Sequence, residues 1–452
     1  MFTSDLYVQS PTTFQSALIT LRAYSRLRLR EGKRFHTYFE QIKNHDFLPI
    51  AKNKYILNEA YITLNNALRN VPFYNNLKID KFSIKEKPLE DVLTEFPIID
   101  KKTIINHEGE FINPLIRGIK IHGATSGTTG TPLSIPQTLD SVIRENAFIW
   151  RQLLWSGYSR GEKRAWIRGD MIVPVSQKKP PYWRMNWAEN MLMLSSFHLK
   201  QSNMKFYIEA LEKFRPKLIQ SYPSSITYLA NYLKDNNEYF KGDCNSIVTS
   251  SESITPEEKL LIEERFGCKV YDWYGLFERN AAIGSCEYGN YHVIDDYSYI
   301  EFEKVVEGNC HEIIGTAFNN SLFPLIRYRT GDTVDISTNH KNCPCNRNYP
   351  LINKINGRVG DYLLGDEGQK VFILNHIVKG INGILESQFV QTEEKKIDVL
   401  VVIGNNFNKS EINKLSDNVK MRLGEAMMVN VNVVDSIPRD KSGKLRQAIC
   451  TI

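Results

Sequence analysis

Thr125-Ser126-Gly127-Thr128-Thr129-Gly130-Thr131-Pro132 places four threonines, a serine and two glycines in eight residues, closed by a proline. Glycines let a backbone bend until its N–H groups converge, and small hydroxyls add short donors, so such a loop suits a polyphosphate. It lacks the Gly-Lys-Ser/Thr ending of a Walker-type loop, which excludes that ATPase reading. Taken alone it also fits an ordinary flexible loop, and the choice rests on the rest of the chain.

Outward from this loop, the sequence alternates helical and extended patterns. The first hundred residues read mostly as helix, with Leu57 to Val71 apolar at helical spacing and Val71-Pro72 as its stop. Thr94 to Asp100 reads as extended. Asp140 to Ser156, Phe206 to Arg215 and Ile226 to Leu233 read as helices. Ala165–Arg168, Ile247–Thr249, Lys269–Tyr271, Tyr297–Phe302 and Glu312–Ala317 read as strands. This order predicts a layered α/β body. From Gly357 a smaller unit is expected: a strand at Asp398–Ile403, a helix at Ser410–Leu423 with Ser410 as N-cap, and a strand at Val429–Val434. Tyr182, Trp183, Trp187 and the run Met185–Met193 form an aromatic and methionine cluster. Core packing is its simpler reading, and a substrate-pocket wall the other.

The chain has 452 residues, too many for one simple core, so two domains are expected. The formal charge of +6 is modest, with no long block of like charge, which disfavours a nucleic-acid module. Arg22, Arg26, Arg28, Arg30, Lys33 and Arg34 are spread over a helical pattern as a solvated face. No window has the roughly 18 apolar residues needed to span a bilayer, and a cytoplasmic location is expected. The seven cysteines should then be reduced, free or metal-bound.

Four further segments carry chemistry. Tyr271-Asp272-Trp273-Tyr274-Gly275-Leu276-Phe277-Glu278 ends in a carboxylate after an aromatic and a glycine read as a turn. An aromatic can stack on a purine, and a carboxylate can hold magnesium beside phosphates. Arg327-Tyr328-Arg329-Thr330-Gly331-Asp332 puts an aspartate on an expected turn, able to accept two ribose hydroxyls. Gly357-Arg358-Val359-Gly360-Asp361 supplies an arginine at the expected domain junction. Pro438-Arg439-Asp440-Lys441-Ser442-Gly443-Lys444-Leu445-Arg446 puts a lysine on a glycine turn near the end. Each alone fits a surface acid, a turn former, a linker charge or a tail lysine. Their order and spacing together select function.

With these motifs, and with Val71-Pro72-Phe73-Tyr74, Phe96-Pro97-Ile98 and Tyr222-Pro223-Ser224, the chain resembles the adenylate-forming superfamily of acyl-CoA synthetases, adenylation domains and luciferases. Within it, the phenylacetate–CoA ligase / CapK family is the nearest likeness, over nearly the whole chain. The resemblance implies a large, multi-layered N-terminal AMP-binding domain over 1–356 and a small, mobile α+β domain over 357–452. It implies that Thr125, Ser126, Gly127, Thr128, Thr129 and Gly130 close over the β- and γ-phosphates of ATP. Tyr274 and Gly275 would line the adenine pocket near Ser251 and Glu252. Glu278 would hold Mg2+, Asp332 the ribose hydroxyls, Arg358 would reach the same region, and Lys444 would bridge the substrate carboxylate and the α-phosphate. The implied reaction joins a carboxylate to AMP and passes it to an acceptor, CoA or an amine, as in capsule or O-antigen assembly. Adenylyl transfer with AMP kept on the product, and a silent ATP-binding protein, are the alternatives. A homodimer is the default assembly. The chain departs from the family pattern at Thr131, at Phe277 and at the hinge, where Gly360 precedes Asp361.

Cys286, His292, Cys343 and Cys345 form two close pairs of soft ligands, a candidate Cys3His structural zinc site. Relatives carrying metal at corresponding cysteines favour it. His340 is a rival fourth ligand, and four reduced residues without metal are the alternative. Cys244, Cys268, Cys310 and Cys450 carry no motif.

Overall fold

The computed structural model describes residues 2, 4–79, 86–124, 133–305, 309–336, 343–358, 363–371, 377–378, 380–440 and 442–452. The loop Thr125 to Pro132 lies outside them, as do His340, Gly360 and Asp361. The chain divides into two compact units. One is built from 1–24, 157–272 and 357–452, the other from 25–156 and 273–356.

In the first unit, the strands Ser246–Ser250, Leu218–Ser221, Arg164–Arg168 and Met191–Ser195 lie side by side and parallel. Lys269 to Asp272 continue the sheet beside Ser246–Ser250, and Trp183–Asn186 closes the other edge antiparallel. The helices between them have local causes. Pro223–Asp235 starts on a proline, whose missing N–H costs nothing at a first turn. Pro256–Phe266 has a capping box from Thr255 and Glu258 and ends on left-handed Gly267. Apolar faces of Pro223–Asp235 and of a further helix, Met204–Phe214, meet the sheet: Ile226, Leu229, Leu233, Tyr207 and Leu211 pack on Ala165, Ile167, Ile219 and Ile247.

The same unit carries the C-terminal strands in the order Met428–Val433, Lys396–Ile403, Ile384–Glu393 and Ala448–Cys450. The helix Ser410–Leu423 buries Leu415, Val419 and Leu423 against them. Ser410 is the first helical residue rather than the cap. Lys409 stands at that position without a side-chain bond, and the Ser410 N–H donates to Asn408 Oδ1 instead.

The second unit opens with the helices Lys33–His45 and Pro49–Asn70, the latter ending at extended Val71 as the Val-Pro pair predicts. Leu139–Trp155 is capped by Thr138, which accepts the Ser141 N–H at 3.0 Å. An antiparallel sheet runs in the order Ser298–Lys304, Cys310–Ala317, Tyr328–Ile336, Leu351–Arg358, Tyr291–Val293, Ala282–Ser285, and the last pairs with Trp273–Gly275. The span Thr94 to Asp100, expected extended, begins with the end of a short helix, Leu89–Thr94, and only Ile99 makes a β-bridge.

In the aromatic and methionine cluster, Tyr182, Met191 and Met193 are core residues, whereas Trp187 is 54% exposed. All seven cysteines are free thiols. Among the described residues no helix is long and apolar enough to cross a membrane.

Candidate functional site

The candidate residues fall into both units. In the first, the turn Asp440–Lys444 is tied by its own aspartate. Asp440 Oδ1 accepts from Ser442 N at 2.7 Å, Ser442 Oγ at 2.6 Å and Lys444 N at 3.0 Å. Gly443 has φ +79°, a conformation that a side chain resists. A Cβ on Gly443 would lie 2.6 Å from Gly169 Cα, and one on Gly169 would lie 1.6 Å from Ser442 O. The two glycines therefore let the turn touch the end of the strand Arg164–Arg168. Tyr222 Oη donates to Ser442 O at 3.0 Å, and Lys444 Nζ stands 5.9 Å from the centre of the Tyr222 ring.

Glu252 holds the next residue. Its carboxylate accepts Leu445 N at 3.1 Å and Ser224 N at 2.9 Å, bonds to a charged acceptor that are worth roughly 1.5–3 kcal/mol each. Behind it, Arg439 pairs with Glu386, both 4% exposed, and also donates to Ser224 Oγ at 3.2 Å. Burial raises the Glu386 carboxyl against the opposing pull of Arg439. Ser251 has φ +74° and accepts from Arg168 Nη2 at 2.6 Å. Ser251, Glu252 and Lys444 thus lie around the carboxyl ends of parallel strands, where open α/β sheets bind ligands. Arg168 and Gly169 escaped the sequence reading. A glycine directly after a predicted strand was the available signal.

In the second unit, Tyr274 Oη donates to Asp332 Oδ2 at 2.8 Å. Burial, and then the Asp332 charge, push the Tyr274 phenol well above its ordinary value, so it stays a donor. Asp332 is not on a turn, as expected, but within the strand Tyr328–Ile336. Gly331, φ +76°, gives that strand an irregular register against Cys310–Ala317. Gly275 likewise ends the strand Lys269–Gly275 instead of making a turn. Glu278 is buried at 7% exposure. Phe277 fits over Gly123, where a Cβ would lie 2.2 Å from its ring. With Gln137, Val142, Glu145 and Arg279, these two line a cavity of about 270 Å³. Arg358 ends the strand Leu351–Arg358.

Cys286, His292, Cys343 and Cys345 come together, their ligand atoms all within 4.8 Å of one another. Cys286 Sγ and Cys343 Sγ are 3.6 Å apart, and Cys345 Sγ and His292 Nε2 are 3.4 Å apart. A zinc–sulfur bond near 2.3 Å implies tetrahedral edges of about 3.8 Å, whereas a disulfide would need about 2.05 Å. The donor set and spacing therefore fit a tetrahedral metal. Burial, then Arg347, push His292 down to about 4, which leaves the imidazole neutral. Burial pushes the Cys286 thiol up to about 12, so metal would have to displace its proton.

Residues 363–450 match the family model of the CapK C-terminal domain. Protein CapK of Staphylococcus aureus is 29% identical over 458 residues, covering 99% of this chain and 99% of that one. Phenylacetate-coenzyme A ligase of Escherichia coli (strain K12) is 23% identical over 321 residues, 67% of this chain and 70% of that one. The crystal structure of 2-hydroxyisobutyryl-CoA ligase in its postadenylation state aligns with TM-score 0.67 at 18% identity, covering 88% of this chain and 89% of that one. At that identity the likeness is one of fold. The chain is homologous to CapK and to the phenylacetate–CoA ligases, and its mixed α/β fold is that of adenylate-forming CoA ligases.

Proposed function

We propose that the chain is an ATP-dependent ligase that activates a carboxylate as its acyl-adenylate and passes the acyl group to a nucleophile. One observation carries most of the weight. The Asp440–Lys444 turn is seated by the Gly169–Gly443 approach, and Lys444 is held over Tyr222 at the carboxyl ends of parallel strands. In the first step a substrate carboxylate oxygen attacks the α-phosphorus, the bond to pyrophosphate breaks, and an acyl-phosphate anhydride forms. Negative charge gathers as the two anions meet. Lys444 would offset it, a contribution of the kind worth roughly two to three powers of ten in rate. In the second step a thiol or amine attacks the acyl carbon, AMP leaves, and the nucleophile's proton passes to solvent.

The remaining roles follow the same reading. On this reading Thr125 to Gly130 would serve the β- and γ-phosphates, Tyr274 and Gly275 the adenine, and Asp332 the ribose hydroxyls. The buried Glu278 would hold Mg2+ through its carboxyl oxygens, and the ion would supply charge neutralisation at the phosphates. The Cys3His cluster would hold zinc structurally, because four protein ligands would leave no open position. The small domain carrying Lys444 moves between the two steps. CoA is the simplest acceptor and an amine the second. The likeness to CapK is what supports a place in capsule polysaccharide assembly.

ATP–pyrophosphate exchange over a panel of aryl, aliphatic, amino and sugar acids tests this. Exchange that depends on one acid class is expected. Thiol consumption, amide formation or AMP retained on the product then identifies the acceptor. Protein that binds ATP and exchanges with no acid would refute the ligase reading in favour of a silent binder.

A further inference from the structure

Two cations converge on one aromatic ring beside the proposed reaction centre. Lys444 Nζ lies 5.9 Å from the centre of the Tyr222 ring, and Arg168 Cζ lies 5.1 Å from it. Arg168 also lies 4.9 Å from the Trp166 ring. Its hydrogen bond goes to a neutral hydroxyl, Ser251 Oγ, at 2.6 Å. Among the described residues Arg168 makes no ion pair. The nearby acids are engaged elsewhere. Asp170 Oδ2 accepts the Trp166 indole N–H at 2.7 Å, Glu252 holds two backbone N–H groups, and Asp440 holds the turn.

A planar guanidinium, fixed by two rings and one hydroxyl, keeps further donors in a fork that matches a carboxylate or phosphate. One cation suffices for the carboxylate that is activated. Arg168, without a carboxylate partner among the described residues, keeps its remaining donors for a further anion. We propose that Arg168 is a specificity-determining residue that pairs with an anionic group of the acid substrate other than the carboxylate being activated. The substrate class is then a dianionic acid, either dicarboxylic or bearing a phosphate. This rests on the ligase reading for the position of the activated carboxylate.

Isothermal titration of the full chain with matched mono- and dicarboxylic acids, and with phosphorylated acids of the same length, tests it. Wild type should bind the dianionic member at least tenfold more tightly. Arg168→Gln should remove that preference, and Arg168→Lys should retain part of it. The dicarboxylic and phosphorylated arms distinguish the two sources of charge. In exchange assays, KM for the acid should rise 10- to 100-fold in Arg168→Gln while KM for ATP changes less than twofold. Unchanged melting temperature shows that the variant is folded. Absence of a dianion preference in wild type, its survival in Arg168→Gln, or an equal rise in both KM values would overturn the proposal. Binding with a dianion preference but without exchange would refute the ligase reading and leave the anion site standing.

Discussion

A methyl group on Gly169 would lie 1.6 Å from the Ser442 carbonyl oxygen and 3.1 Å from Tyr222 Oη. The first distance is far inside any van der Waals contact and involves backbone, so the turn must move. Gly169 itself has no left-handed φ, and alanine there strains nothing but this approach. The Gly169→Ala variant should therefore keep a melting temperature within a few degrees of wild type. Its ATP–pyrophosphate exchange should fall at least 100-fold, the scale expected when an oriented charge is displaced. Exchange within threefold of wild type would mean that the seated turn is not the conformation that activates the acid. At this scale the sequence was only half legible. Lys444 stood out because a lysine on a glycine turn is conspicuous, whereas Glu252 was reached only through the family resemblance, and for the adenine rather than for the backbone it holds. Gly169 did not, since a glycine after a strand announces a turn, and its actual use, admitting the backbone of Ser442, 273 residues on, cannot be told from that signal.

The elements were legible where a period exists. Leu139–Trp155, Met204–Phe214 and Ser410–Leu423 show helical spacing and were read to within a residue or two at most ends. Met191–Ser195 is buried along its whole length, so its strand has no alternation to find, and its methionines read as part of a cluster. Thr330-Gly331-Asp332 looked like a turn because glycine and aspartate favour one, yet cross-strand pairing carries it through as an irregular strand. The cysteine pairs were legible as ligands, though only folding could bring Cys286 within 3.6 Å of Cys343. Those residues lie on the segments around Tyr291–Val293 and Leu351–Arg358, which share a two-residue register and the bond from Val293 N to Pro350 O. A closed metal site there, as proposed, would add a cross-link between them. Protein purified without chelator should contain about one zinc per chain, and Cys343→Ser should fall below about 0.1. The variant's melting temperature should drop by roughly 5–10 °C, and chelation of wild type should reproduce the drop. Metal-free wild type with an unchanged melting temperature would leave four reduced ligands and no centre.

At the scale of the molecule, the C-terminal segment is tied to the parallel sheet and its helices at several points: Arg439 with Ser224, Glu252 with Leu445, and Asn231 with the Leu385 carbonyl. Leu385, Val402 and Ile437 also enter that unit's core. On the ligase reading proposed above, this is the arrangement the first half-reaction would require, with the lysine brought to the substrate by the segment that carries it. The second half-reaction has a different requirement, because the acceptor must reach an acyl carbon that Lys444 would crowd. An enzyme that works by moving the segment between steps needs Lys444 in only one of them. Lys444→Ala should therefore lower acyl-adenylate formation by 100-fold or more, measured as single-turnover pyrophosphate release. With synthetic acyl-adenylate supplied, AMP release to the acceptor should stay within about threefold of wild type. Equal losses in both steps would place Lys444 at one fixed centre and remove the reason for movement. A loss confined to the second step would assign the seated turn to transfer and reverse the order argued here.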